Sequence, residues 1–98
     1  MYGRVFPIQY EWDSAKAAAN LDKHGVSFER ILELEWNRAI AFEDRRQPYG
    51  ERRFIAYAPI GERLYVVVYS PRGLRRRIIS LRKANAREVA RYQDVEKA

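Results

Sequence analysis

The sequence has no cysteine, and it carries only one histidine and one methionine in 98 residues. Without thiols there are no disulfides, thiol nucleophiles, cysteine-based zinc sites or redox switches. One histidine without cysteine is also too few ligands for a zinc centre, and no metal or other cofactor is expected. Long apolar runs are missing as well. The longest is Leu64–Tyr69, against the roughly 20 residues a membrane-spanning helix needs. The opening residues, Met1 to Pro7, lack the apolar stretch of a signal peptide. A cytoplasmic protein with no membrane association is therefore expected. Neither a phosphate-binding P-loop, a G-x-S-x-G nucleophile elbow nor an RNP1 motif is present.

What remains is a globular composition, 47% hydrophobic and 33% charged, with one domain expected over 1–98. The charge is unevenly spread. Residues 1–44 hold 5 basic and 8 acidic side chains, whereas residues 45–98 hold 14 basic and 5 acidic, a net of +9. Twelve of those 14 are arginine, whose planar fork matches phosphate oxygens. An arginine-rich half suits a polyanion, either nucleic acid or an acidic protein partner.

Gln9–Trp12 reads as a strand, with a start as early as Val5. Asp13 is placed as an N-cap for a helix over Ser14–Lys23, rich in alanine, with Gly25 at the exit. Ser27 caps a second helix, in which Phe28, Ile31, Leu32 and Trp36 form an apolar stripe and Val26 staples onto Ile31. Together they predict a helical hairpin. Strands follow at Arg38–Phe42, Arg52–Ala58, Leu64–Ser70 and Arg75–Arg82. The third of these is apolar on both faces and so central. Turns fall around Gly61 and at Pro71–Leu74, and a loop spans Glu43–Glu51. Asn85 and Glu88 make an N-x-x-E capping box for a last helix ending near Lys97. The expected class is α+β: an N-terminal helical hairpin on an antiparallel β-meander, with a C-terminal helix.

Several residues have the chemistry for a site. His24 titrates near neutrality and can move a proton, or it can simply sit at a helix C-terminus where the dipole favours it. Glu51, beside Arg52 and Arg53, can act as a general base on a ribose hydroxyl or as one half of a loop ion pair. Arg72, Arg75, Arg76 and Arg77 cluster in sequence. Alternation puts Arg77, Ile79 and Leu81 on one face of the last strand, and Arg76, Ile78, Ser80 and Arg82 on the other. Arg77 and Arg82 are thus expected on opposite sides. Tyr57, Tyr65, Tyr69 and Tyr92 can stack bases or fill the core.

Three blocks in order resemble the BrnT family of toxins from type II toxin–antitoxin modules. The first is Glu11-Trp12-Asp13, Lys16, Asn20 and Lys23-His24-Gly25-Val26 with Phe28. The second is Tyr49-Gly50-Glu51 with Arg53. The third is Arg77-Ile78-Ile79-Ser80 and Arg82-Lys83-Ala84, followed by Glu88 and Tyr92. Ile31 and Ala58 depart from the family pattern, at packing positions. The resemblance implies a RelE-like fold and a ribonuclease that halts translation. It also implies a BrnA antitoxin with a ribbon-helix-helix DNA-binding half, so that operator DNA is met only through the complex. It points to Lys23, His24, Glu51, Arg53, Arg77 and Arg82 as site residues. Catalytic roles are expected for His24, Glu51, Arg53, Arg77 and Arg82, and substrate binding for Lys23, Arg72, Arg75 and Arg76. A non-catalytic RNA or ribosome binder whose basic face chiefly holds an acidic antitoxin is the competing expectation.

Overall fold

Asp13 begins the first helix as expected. Its carboxylate accepts from the backbone N–H groups of Ala15 and Lys16, two of the donors a helix start leaves unpaired. In the computed structural model, which describes residues 7–98, helix α1 runs Ser14–His24 and ends at Gly25 with φ 69°. That left-handed exit suits a residue without a side chain. The early strand start at Val5 lies outside the described residues. The strand itself, β1, is Gln9–Glu11 and stops short of Trp12.

The second expected helix is not an α-helix. Ser27 does cap it, but the chain forms a 3-10 helix over Phe28–Glu33 and a second over Trp36–Arg38. The packing explains the difference. A 3-10 helix repeats every three residues, and Phe28, Ile31 and Leu34 are the residues buried there. Leu32, expected in an α-helical stripe, is 74% exposed. The helical hairpin is therefore replaced by one α-helix and two short tight turns.

Four strands then form an antiparallel meander: β2 Ile40–Glu43, β3 Phe54–Ile60, β4 Arg63–Arg72 and β5 Arg75–Lys83. β2 and β3 each start two residues later than expected and extend past the expected end. The sheet order is β1-β5-β4-β3-β2, which makes β4 central, as its two apolar faces required. β1 joins parallel to β5, so the sheet is mixed rather than purely antiparallel. Asn85 and Glu88 form the expected capping box at the start of α2, Ala86–Lys97.

The sheet is covered on both faces. One face packs Val67, Tyr69, Ile78 and Leu81 under α1 and the 3-10 segment, with Phe28 and Ile31 almost fully buried. The other packs Ile55, Leu64 and Val66 under α2 through Ala84 and Tyr92. Burying each such aliphatic side chain stabilises the fold by about 1.5–3 kcal/mol. No helix among the described residues is long and apolar enough to cross a membrane.

Candidate functional site

Strand β5 carries the largest share of the candidate residues, and its register decides which of them share a side. Val68 pairs with Ser80 and Tyr69 with Ile78, so Ile79 has no partner and forms a bulge. One extra residue shifts the alternation by one step. Ile78 and Leu81 consequently enter the same core cluster. Arg77 and Arg82 oppose Ser70 and Val66, two residues on one face of β4. The expectation that they lie on opposite sides is corrected: the bulge puts both on the α2 face.

Most of the candidates meet at the β4–β5 hairpin end of the sheet. Arg72 pairs with Arg75 across the hairpin, and its Nη2 lies 3.1 Å from Glu51. The Arg77 Nη1 lies 2.9 Å from Glu11, its neighbour on β1. The Ser70 hydroxyl donates to the carbonyl of Arg52 at 2.7 Å, which brings the start of β3 and Arg53 to the same end. Arg75 is exposed. Arg76 turns to the α1 face, where its guanidinium lies 4.2 Å from the Trp36 ring and 5.0 Å from Tyr69. Trp36 is held by a 2.6 Å hydrogen bond from its indole to Tyr10.

The loop between β2 and β3 has internal structure of its own. Asp44 is buried, and its carboxylate accepts from Nε and Nη2 of Arg46, each at 2.8 Å, and from the Tyr49 hydroxyl at 2.8 Å. Those bonds, led by Arg46, hold its carboxyl far below the usual aspartate range. The Arg53 guanidinium lies 4.2 Å from the centre of the Tyr49 ring. The Nε of Arg53 and Nη1 of Arg76 are buried without a hydrogen-bond partner among the described residues.

Lys23, His24 and Arg82 form a separate group at the far end of β5. Arg82 makes a double hydrogen bond to Glu88, at 2.8 and 2.9 Å. Burial first, then the charges of Lys23 and Arg82, hold the His24 pKa below its ordinary value and favour the neutral ring. Arg77 and Arg82 stand roughly 15 Å apart at about 3.3 Å per residue. One phosphate cannot touch both groups, but a strand of RNA laid along this face can.

Sequence reasoning gave Asn20 no role beyond a motif position. Its side-chain amide donates to the carbonyls of Leu81 at 2.7 Å and Val26 at 3.0 Å, and accepts from the Leu81 N–H at 3.2 Å. β1 ends opposite Arg77, and Asn20 takes over the edge of β5 beyond it. Asp44 was likewise unmarked. Tyr65, Tyr69 and Tyr92 are core residues. Among the described residues no group of three or more His, Cys, Asp or Glu side chains is arranged to hold a metal ion.

Among curated proteins no match is found. The family model of the ribonuclease toxin BrnT of type II toxin–antitoxin systems matches residues 12–88, a span that includes α1, the Tyr49–Arg53 loop and all of β5. The chain belongs to this BrnT family of ribonuclease toxins.

Proposed function

We propose that the protein is an endoribonuclease that cleaves RNA without a metal ion. The 2′-hydroxyl attacks the adjacent phosphate and leaves a 2′,3′-cyclic phosphate and a 5′-hydroxyl. The observation that carries this reading is the pairing of Glu51 with Arg72 at the hairpin end of the sheet, the end that also holds Arg75, Arg77 and, at the start of β3, Arg53. An internal nucleophile needs a base and cations for the charge that builds on phosphorus, and this end offers both. Glu51 takes the hydroxyl proton, Arg53 and Arg77 stabilise the phosphorane oxygens, and the departing 5′-oxygen takes its proton from water. His24 is the rival base at the other end, where Lys23 and Arg82 hold the RNA further along. Arg75 binds substrate from its exposed position, and Arg76 shapes the opposite rim.

The same reading takes the chain as one toxin domain acting in the cytoplasm, in a RelE-like arrangement of helical elements before and after a β-meander. Type II membership implies an antitoxin partner. A BrnA-like protein with a ribbon-helix-helix half fits, with operator DNA bound only through the complex. A non-catalytic role for the basic face has one observation in its favour. Arg72, Arg77 and Arg82 already bind carboxylates, and an acidic antitoxin segment would make the same contacts. Purified protein incubated with RNA in EDTA separates the readings. Cleavage that falls by about two to three orders of magnitude in Arg77→Ala or Glu51→Ala is expected. Full cleavage by either variant removes that residue from the mechanism, and no cleavage by wild type favours binding alone.

A further inference from the structure

Arg53, like Arg76 on the opposite face, stacks on an aromatic ring, whereas two neighbouring arginines pair with acids. Arg72 and Arg77 are each fixed by a carboxylate. The Nε of Arg53 has no hydrogen-bond partner among the described residues, and its guanidinium rests 4.2 Å from the centre of the Tyr49 ring. A cation over an aromatic face is attracted by the ring quadrupole. Among the described residues no carboxylate pairs with this guanidinium, which suits a group that must meet a phosphate.

A ring used as a platform must itself be fixed, and Tyr49 lies in a loop containing Pro48 and Gly50. Its hydroxyl donates to Asp44 Oδ2 at 2.8 Å. Asp44 follows directly on β2, its side chain is 3% exposed, and Arg46 grips both its oxygens. The Asp44 N–H also donates to the carbonyl of Arg53 at 2.8 Å. One buried residue thus anchors the backbone of Arg53 directly and its side chain through Tyr49.

We propose that Asp44 and Tyr49 are positioning residues for RNA cleavage: Asp44 fixes the Tyr49 ring, and the ring sets the angle at which Arg53 meets the substrate phosphate. This rests on the reading of Arg53 as a phosphate-binding residue of the cleavage site. The bonds from Arg46 hold the Asp44 carboxyl far below the usual aspartate range, which keeps it an acceptor for the Tyr49 hydroxyl at neutral pH.

The test uses the full chain with Tyr49→Phe, Asp44→Asn, Arg53→Ala and the Tyr49→Phe/Arg53→Ala double variant. Steady-state cleavage kinetics, thermal melting and the NMR resonance of the Arg53 Nε–Hε group are recorded. Tyr49→Phe keeps the ring and removes its anchor. It is expected to lower kcat about 10- to 100-fold, the scale of a small misplacement, with KM changed less than about twofold. The Arg53 resonance should move, the melting temperature should stay near wild type, and the double variant should lose no more than Arg53→Ala alone. Should Asp44→Asn fail to fold, Tyr49→Phe carries the test, since it leaves the Asp44–Arg46 pair intact. Wild-type kcat and an unmoved resonance in Tyr49→Phe, with Arg53→Ala impaired, would overturn the positioning role alone. Losses that simply multiply in the double variant would also overturn it. Wild-type cleavage by Arg53→Ala would instead remove Arg53 from the site, and the proposal with it.

Discussion

Arg77 and Arg82 stand on the same face of β5 although they are five positions apart, because Ile79 bulges out of the ladder between them. A regular strand would have sent one arginine into each layer. With the bulge, both reach the side that carries Ser70 and Ser80.

Two cations on one face should be felt by one strand of RNA. With an uncleavable 2′-deoxy analogue, Arg77→Ala and Arg82→Ala should each reduce the slope of log K against log salt by about 0.7, and the double variant by about 1.4. An unchanged slope in either single variant would place that arginine off the RNA path. Salt titration by fluorescence anisotropy reads this directly.

Asn20 should matter for stability. Its amide satisfies both backbone groups of Leu81 and the carbonyl of Val26 in a buried setting. Asn20→Ala strands those groups and should cost about 2–4 kcal/mol, whereas an exposed helix position would cost under about 0.5. Urea unfolding followed by circular dichroism measures the difference.

The tight helix after Gly25 makes a contrast between two leucines. Leu34→Ala should destabilise by about 2–4 kcal/mol, because Leu34 is buried beside Phe28 and Ile31. Leu32→Ala should stay within about 0.5 kcal/mol. Equal losses would restore the α-helical stripe that the sequence suggested.

Much of the architecture was legible in the chain because its signals are local. Asp13 and the Asn85–Glu88 pair are caps whose partners lie within three residues. The central position of β4 followed from Leu64–Tyr69 being apolar on both faces. The rest depended on distant partners. Ile79 has no glycine beside it to mark a bulge, and the shift shows only once β4 fixes the register. Phe28, Ile31, Leu32 and Trp36 fit an α-helical period as well as Phe28, Ile31 and Leu34 fit a 3-10 one, and packing chose between them. In the site, Glu51 and the arginines could be named from residue type. The pairing of Glu51 with Arg72, and the division of the candidates between two ends of β5, needed the fold.

Glu88 gives the fold an acid limit. The two hydrogen bonds it accepts from Arg82 hold its carboxyl below the ordinary glutamate value of 4.5, against the opposing effect of burial. A depressed folded pKa stabilises fully above the unfolded value, and that contribution is lost as pH falls through the lower, folded one. Wild type should therefore lose stability as pH falls below the ordinary glutamate value of 4.5 more steeply than Glu88→Gln, which starts lower at neutral pH. Thermal melting across that range decides it, and parallel curves would exclude the Glu88–Arg82 pair as a source of the acid limit.

The chemistry itself is read most directly from the ends of the RNA. Substrate cleaved by the purified protein in EDTA should carry 2′,3′-cyclic phosphate and 5′-hydroxyl termini, and Glu51→Gln should yield few such ends. Termini with 3′-hydroxyl and 5′-phosphate, or cleavage that appears only when a divalent ion is restored, would contradict attack by the 2′-hydroxyl without a metal.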